Sequence, residues 1–241
     1  VAGVGLQWDR DMPGAAKDAR VRQQKRGYAG FVWTPDDPRY RKVFGLLEQE
    51  NPSSLLDIGC GNGAFSEVLV RAGWTCSALE LLPDLAEEAK RRRIRAVRGD
   101  TSDPFPFAEG IFPFVFAGEI LEHQVGDDDF LSECHRVLAP GGTLILTTPN
   151  LVSLGNRVRM SLGRLPRFAY DEPHYRIYTL DLLLQKIRGA GLRPVHISAS
   201  HVLISRSSPR RFLAQTLGRF GEWMAGVYPR FGEMFVIVAR K

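Results

Sequence analysis

The chain has 241 residues, of which 44% are hydrophobic, 10% aromatic and 24% charged, and its formal net charge is +5. This mixture is ordinary for a folded protein and excludes a disordered chain, a collagen or a coiled coil. No apolar run reaches the roughly 18–20 residues that a membrane span requires, and the first residues lack the pattern of a signal peptide.

The first fifty residues are predicted to form an N-terminal helical lid or extension. Lys17–Arg26 is charged and has few apolar residues, which is typical of an exposed helix. Asp37 and Pro38 form a good N-cap and first-turn pair, and they predict a helix through Leu47 that ends before Asn51-Pro52.

From residue 51 onward, short apolar strands alternate with helices. The predicted strands of this part are Ser54–Ile58, Trp74–Leu79, Arg95–Arg98, Phe112–Ala117 and, after the turn Pro140–Gly142, Thr143–Thr148. The predicted helices are Ala64–Ala72, one that begins at Pro83, and Asp127–Leu138. This alternation predicts an α/β fold, with a doubly wound and mostly parallel sheet that has helices on both faces.

The last third continues this domain, which we expect to span residues 51–241. A helix over Leu180–Ala190, a strand over Leu192–Ser198 and a final strand over Met234–Ala239 are predicted. The basic stretches between them predict cap-like insertions at about residues 151–178 and 200–232.

A glycine-rich loop, Gly59–Gly63, follows the first of these strands and precedes a helix. Glycines permit positive φ and close approach of a ligand to the backbone, and the helix N-terminus offers free N–H groups. A ligand-binding loop is therefore favoured over a plain tight turn. The loop alone also satisfies the relaxed dinucleotide fingerprint, with Glu80 as the ribose-binding acid, so an NAD-dependent oxidoreductase stays an alternative.

Other polar residues stand at the ends of strands and discriminate further. Asp57 lies just before the loop, Gly99-Asp100-Thr101 follows the third strand, and Glu119-Ile120-Leu121-Glu122-His123 follows the fourth. Together with the loop, Glu80 and Leu138–Thr143, this set resembles the class I S-adenosylmethionine-dependent methyltransferases. The resemblance covers roughly residues 45–200. Leu-Glu-His and His174–Thr179 resemble the branch of quinone-biosynthesis O-methyltransferases and of methyltransferases in cell-surface glycan and natural-product pathways.

The resemblance implies a seven-stranded Rossmann-like sheet with an antiparallel last strand, S-adenosyl-L-methionine as cofactor and S-adenosyl-L-homocysteine as product. It implies that Asp57 receives the ammonium, Glu80 both ribose hydroxyls and Asp100, beside Thr101, the adenine amino group. The remaining cofactor-binding residues implied are the loop residues Gly59, Cys60, Gly61 and Gly63, Leu81 against the adenine, and Glu119 near the sulfonium. One departure is Phe112-Pro113 at the start of the fourth strand, which predicts an irregular strand entry.

Methyl transfer to a hydroxyl requires in-line geometry and a base. His123 and His174 are the candidate catalytic residues, each with a structural role as the alternative. Tyr175 and Tyr178 either shape an acceptor pocket or pack. No metal site is predicted, because the acidic run Asp127–Asp129 suits a helix N-terminus without one.

Charge is uneven along the chain: residues 51–150 carry −7, residues 151–241 carry +10, and 26 of the 32 cationic residues are arginine. The basic third predicts an acceptor cap for an anionic or amphipathic small molecule, lipid- or sugar-linked acceptors included, with peripheral membrane contact as a further option. A nucleic-acid (RNA) methyltransferase and a non-catalytic cofactor-binding homologue remain alternatives, although nucleic acid is disfavoured because Ala117–Ile120 lacks the motif of nucleobase enzymes. Three scattered cysteines, Cys60, Cys76 and Cys134, form no disulfide framework and favour a reducing, cytoplasmic location.

Overall fold

The computed structural model of the protein describes residues 37–166, 174–200, 221 and 223–241. Its strands are β1 Ser54–Ile58, β2 Thr75–Glu80, β3 Arg95–Arg98, β4 Phe112–Gly118, β5 Leu138–Pro149, β6 Arg193–Ser200 and β7 Met234–Arg240. Its helices are α1 Pro38–Leu47, α2 Ala64–Arg71, α3 Pro83–Arg91, α4 Asp127–Val137, α5 Leu154–Ser161 and α6 Leu180–Gly189. Two 3₁₀ turns, Leu121–His123 and Pro229–Phe231, and a helical turn at 223–227 complete the described elements.

The strands form one seven-stranded sheet in the order β3-β2-β1-β4-β5-β7-β6. The neighbours from β3 to β5 pair in parallel, whereas β7 runs antiparallel to both β5 and β6. The predicted Rossmann-like sheet with an antiparallel last strand is therefore confirmed. The carboxyl ends of β1, β2, β3 and β4 lie at one edge, and the order reverses between β1 and β4, which is where α/β sheets bind ligands.

Alternate residues of the central strands enter two separate apolar cores, as the two-residue period of a strand requires. On one face, Leu56 and Leu144 pack with side chains of α4 and α6, such as Phe130 and Leu183. On the opposite face, the aromatic ring of Phe116 packs against Phe65 of α2 at a centroid distance of 4.6 Å. The sheet thus has helices on both faces, and this burial fixes the strand register that brings the site residues together.

The predicted irregular entry of β4 is confirmed. Phe112 pairs with Leu138, and the register then shifts so that Phe114 pairs with Thr143, which leaves Pro113 outside the ladder. This pairing makes β5 begin at Leu138 rather than at Thr143, and residues 139–142, where a turn is expected, leave the ladder with left-handed backbone at Gly141. Gly142 lies so close to the carbonyl oxygens of residues 139 and 112 that a Cβ there would have no room, and the chain bulges within the strand.

The described part of the predicted lid, α1, packs against β6 and β7. Its side chains Val43 and Leu47 are buried in the same core as Leu55. The predicted exposed helix Lys17–Arg26 lies outside the described residues, as do residues 167–173 and 201–220 of the two predicted insertions. Among the helices that the structure describes, none has the length and apolar character needed to cross a bilayer.

Candidate active site

The glycine loop after β1 has left-handed backbone at each of its three glycines. The φ angles are 72° at Gly59, 56° at Gly61 and 78° at Gly63. A Cβ at Gly59 would lie 2.2 Å from the Ile120 side chain, so the loop packs directly against the turn that follows β4. Glycine is therefore required both by the backbone angles and by this contact.

The Glu80 carboxylate at the end of β2 is held by the loop. Its Oε2 accepts a hydrogen bond from the Gly61 N–H at 2.9 Å, and its Oε1 accepts one from the Leu82 N–H at 2.8 Å. Burial raises the pKa of Glu80, and the backbone N–H groups of residues 82, 61 and 81 oppose that rise. The fixed carboxylate retains acceptor capacity for hydrogen bonds from a ligand.

The Asp57 side chain lies beneath the loop and is 2% exposed. The Ser66 hydroxyl of α2 donates a hydrogen bond to Asp57 Oδ2 at 2.6 Å. Burial raises the pKa of Asp57 to about 7, the Ser66 hydrogen bond opposes the rise, and the charge of Glu80 adds to it. The ionised form of this carboxyl is thus disfavoured by its surroundings, and a nearby cation would stabilise it.

The Cys60 thiol, which precedes Gly61 in the loop, is buried and donates to the Gly61 carbonyl oxygen at 3.3 Å. Burial raises the pKa of this thiol well above its usual range. The side chain therefore supports the loop from inside, and a cofactor would meet the Cys60 backbone instead.

The turns after β3 and β4 are tied to each other. Asp100 Oδ1 accepts from the Ser102 N–H at 3.0 Å, which shapes the turn after β3. The Thr101 hydroxyl donates to Gln124 Oε1 at 3.1 Å, and the Gln124 amide donates to the Ile120 carbonyl at 3.1 Å. Asp100, Thr101 and the half-buried Leu81 therefore lie at the same sheet edge as the glycine loop.

Glu119, the first residue after β4, has φ 57° although it is not a glycine. Its N–H donates to the Thr147 carbonyl at 3.1 Å, and the Thr147 hydroxyl donates to Glu119 Oε1 at 2.7 Å. Left-handed backbone at a side-chain-bearing residue costs about 1–3 kcal/mol and concentrates at functional sites. The two bonds to β5 hold this strained turn beside the loop.

The structure brings together the two predicted catalytic histidines, which are 51 residues apart in the chain. The His123 and His174 rings stack with centroids 4.9 Å apart and an interplanar angle of 28°. The Arg176 N–H donates to the Glu122 carbonyl at 3.0 Å, and its guanidinium donates to the Val125 carbonyl at 2.9 Å. These bonds dock the segment after residue 173 onto the turn that contains His123.

Glu122 belongs to this group but was not among the predicted site residues. Its side chain is 2% exposed, and its Oε2 accepts a hydrogen bond from the Thr148 hydroxyl at 2.9 Å. The Glu-His dipeptide at the end of β4 was the one sequence signal that could have pointed to it.

The acidic run at the start of α4 binds side chains of the segment that contains Tyr178 and of α6. Asp127 accepts a hydrogen bond from the Tyr178 hydroxyl at 3.0 Å and one from the Lys186 ammonium at 3.1 Å, and Lys186 also pairs with Asp128. Tyr178 is therefore a packed residue, 1% exposed, whereas Tyr175 is exposed at 47%. Of the two tyrosines, only Tyr175 has a ring accessible to an acceptor.

Comparison with known proteins identifies the domain. The sequence model of a family described as "Methyltransferase domain" matches residues 56–146, which include the glycine loop, Glu80, Asp100 and the turn after β4. The ubiquinone biosynthesis O-methyltransferase of Caulobacter sp. (strain K31) is 37% identical over 103 residues. Residues 56–146 therefore match a methyltransferase domain, and the predicted resemblance to class I S-adenosylmethionine-dependent methyltransferases is confirmed.

The match to that relative spans 40% of this chain and 40% of the relative. Solved structures extend the similarity of fold along most of the chain. An S-adenosylmethionine-dependent methyltransferase from Thermotoga maritima aligns with a TM-score of 0.62 over 93% of this chain and 97% of its own, at 18% identity. One from Mesorhizobium loti aligns with a TM-score of 0.63 over 86% and 99%, at 16% identity.

The family and fold of the methyltransferase domain imply S-adenosyl-L-methionine as cofactor, and the residues present fit it. The cofactor carries a ribose diol and an ammonium group. The anchored Glu80 carboxylate has acceptor capacity for the diol, and the buried Asp57 carboxylate has the charge for the ammonium. The individual roles of these residues, and those of Leu81, Asp100, Thr101 and Glu119, remain predictions.

Proposed function

We propose that this chain transfers a methyl group from S-adenosyl-L-methionine to an oxygen of a small-molecule or lipid- or sugar-linked acceptor. The matched relatives are named ubiquinone biosynthesis O-methyltransferases, and their similarity covers the cofactor half of the domain. Acceptor selection would lie in the other half, where the chain differs from them.

The observation that carries the choice of oxygen is the imidazole pair of His123 and His174. A hydroxyl acceptor must lose its proton as it forms the new bond to carbon, and imidazole is the side chain best suited to handle that proton near neutral pH. His123 follows β4, at the sheet edge where Ile120 lies against the glycine loop, and His174 stacks on it there. A methyl donor held by the loop would therefore lie on the same edge as the pair.

The remaining residues of the site would bind and orient. Asp57 would hold the ammonium, Glu80 the ribose diol, and Asp100 the adenine amino group, which together fix the donor for in-line attack. When bound, the cofactor supplies a methyl group on a sulfonium. The imidazole pair would accept the proton that the acceptor hydroxyl loses.

We further propose that the acceptor is anionic or amphipathic and that it is met in the cytoplasm or at a membrane surface. Helix α5 leaves the same sheet edge and exposes Val158 and Met160, and the following residues expose Leu162 and Leu165. Arginines at 157, 159 and 164 alternate with these apolar side chains. Mixed cationic and apolar surface of this kind suits a lipid headgroup boundary or a lipid-linked acceptor. The three cysteines are buried free thiols, which agrees with a reducing compartment.

The test combines binding with turnover. We expect S-adenosyl-L-homocysteine to bind by calorimetry and to raise the melting temperature, whereas NAD does neither. The full chain is then incubated with methyl-labelled cofactor and a panel of phenols, hydroxylated sugars, lipid-linked hydroxyl compounds and RNA.

A labelled methyl group on an oxygen of a small or lipid-linked product would support the proposal. Labelled RNA would refute the proposal in favour of a nucleic-acid methyltransferase. Cofactor binding with no turnover on any acceptor would refute it in favour of a non-catalytic homologue.

A further inference from the structure

The group formed by Glu122, His123 and His174 has the composition of a metal site. One carboxylate oxygen and one nitrogen from each imidazole lie within 4.8 Å of one another. Glu122 is buried and the two histidines are half-buried. Exposed acidic clusters often lack an ion, but this group combines a buried carboxylate with two imidazoles from separate segments.

Contacts within the protein hold the three side chains in place. Glu122 is fixed through its Oε2 by the Thr148 hydroxyl of β5 and through its backbone carbonyl by the Arg176 N–H. The segment of His174 is anchored further along by Tyr178, whose hydroxyl bonds to Asp127 and whose carbonyl accepts the Leu151 N–H. The group is therefore assembled by the folded chain, so binding an ion would require little ordering.

The distances match a divalent ion after a small contraction. Zinc bonds to nitrogen or carboxylate oxygen at about 2.1 Å, so two ligands of a tetrahedral ion lie about 3.4 Å apart. Ligands within 4.8 Å of one another would therefore have to approach by at most about 1.4 Å. Two histidines and one glutamate are a ligand set of catalytic zinc, with the fourth position left for water or substrate, and imidazole disfavours magnesium and calcium.

We propose that Glu122, His123 and His174 bind a divalent transition-metal ion of the zinc class at the acceptor side of the site. If the proposed function holds, on which this role rests, the open position takes the acceptor oxygen. The ion would then act as a Lewis acid that lowers the pKa of the bound hydroxyl, so the hydroxyl would lose its proton to solvent and both imidazoles would serve as ligands. The methyl transfer of the proposed function is kept, but the ion replaces the imidazole pair in removing the proton. This also differs from the metal-free site expected from the sequence, in which one histidine is the base.

Metal binding is tested on the full chain without cofactor or acceptor. The purified protein is stripped with a chelator and titrated with Co²⁺, whose visible absorption reports a nitrogen-containing site of low coordination number, and with Zn²⁺ in a thermal melt. We expect one ion per chain and a rise in melting temperature. Since even outer-shell changes weaken metal affinity about 10–100-fold, His174→Ala and Glu122→Gln should each weaken it at least about tenfold.

The matched control is His196→Ala, because His196 is exposed on β6 and outside the group. It should bind Co²⁺ as the unchanged protein does. Equal binding by the His174→Ala variant, or no Co²⁺ absorption in the unchanged protein, would overturn the proposal. If circular dichroism shows that Glu122→Gln does not fold, the Co²⁺ affinity of His174→Ala, a change at a half-buried position, tests the proposal.

The two proposals can fail separately. Metal binding without methyl transfer would refute the proposed function and leave the site. Methyl transfer that survives chelation and yet requires His174 would refute the site and make that imidazole the base.

Discussion

Replacing Asp57 with asparagine should stabilise the protein while weakening its hold on the cofactor. The carboxyl of Asp57 has a pKa of about 7 in the folded chain because of burial, against 3.8 for an ordinary aspartate. A carboxyl whose pKa is raised by folding favours the folded state at low pH. That stability is lost progressively as the pH rises from about 4 through 7, since the unfolded chain ionises first.

The magnitude follows from the two pKa values. At 1.36 kcal/mol per pKa unit, the ionisation penalty on folding is about 2 kcal/mol at pH 5 and about 4 kcal/mol at pH 8. The asparagine side chain would retain an oxygen for the Ser66 hydroxyl, and any penalty for its buried NH₂ group is independent of pH. The stability difference between Asp57→Asn and the unchanged protein should therefore grow by about 2–3 kcal/mol in favour of the variant between pH 5 and pH 8.

The stability of the unchanged protein falls as the pH rises, whereas its affinity for the cofactor should increase. If the ammonium binds only the ionised carboxylate, the affinity of the unchanged protein for S-adenosyl-L-homocysteine rises about tenfold from pH 6 to pH 8, as expected for a pKa near 7. The variant should bind more weakly and without that dependence.

Urea unfolding, followed by circular dichroism at pH 5 and pH 8, measures the stability difference. Titration calorimetry of S-adenosyl-L-homocysteine binding at pH 6 and pH 8 measures the affinity. Glu50→Gln is the control, because it removes one exposed carboxylate and should change neither. A stability difference between Asp57→Asn and the unchanged protein that is the same at both pH values would refute the reasoning.

Three further predictions concern the rest of the site, and a fourth concerns the surface of α5. Glu80→Gln places an NH₂ group against a backbone N–H and should weaken cofactor binding, measured by calorimetry, at least about tenfold, the loss expected for a charge-assisted pair of hydrogen bonds. Glu87→Gln on α3 is the exposed control. Equal affinities of the Glu80→Gln variant and the unchanged protein would show that Glu80 does not bind the cofactor. Asp100→Ala should weaken cofactor binding with little change in melting temperature, whereas unchanged binding would contradict its adenine contact. His174→Ala should lower kcat about 10²–10⁴-fold, the range of a positioned proton acceptor, with cofactor affinity nearly unchanged, and normal turnover would make the residue structural. If the cationic and apolar surface of α5 meets lipid, the chain should sediment with anionic vesicles and Met160→Asp should reduce that fraction, while absence of sedimentation would contradict membrane contact.

The sequence predicts those parts of the site that local patterning determines. Glycines between a strand and a helix predict the loop, and the βαβ unit that follows places Glu80 beside Gly61, although 19 residues separate them. Burial of alternate strand residues then fixes the register. The irregular entry of β4 at Pro113 was also predicted from local sequence, because proline has no N–H for the ladder.

Contacts between distant segments could not be predicted in this way. The contact between His174 and His123 depends on hydrogen bonds from Arg176 to the backbone carbonyls of residues 122 and 125. Because every residue has a backbone carbonyl, these acceptors cannot be identified from residue types. The role of Asp127 depends on Lys186 and Tyr178, which lie more than 50 residues later. For the same reason Glu122 was overlooked, since its significance comes from its neighbours in space.

Because all three cysteines are buried, the reaction rates of their thiols can report local opening of the fold. Cys60 lies in the glycine loop, Cys76 in β2 and Cys134 in α4, and each is at most 8% exposed. Burial raises the pKa of the Cys76 thiol to about 12, and it raises those of the other two further. An alkylating reagent needs an accessible thiolate, so each thiol reacts only while its own part of the fold is open. The loop, the sheet and the helical face opposite α2 thus each carry a natural label whose reaction rate measures local opening.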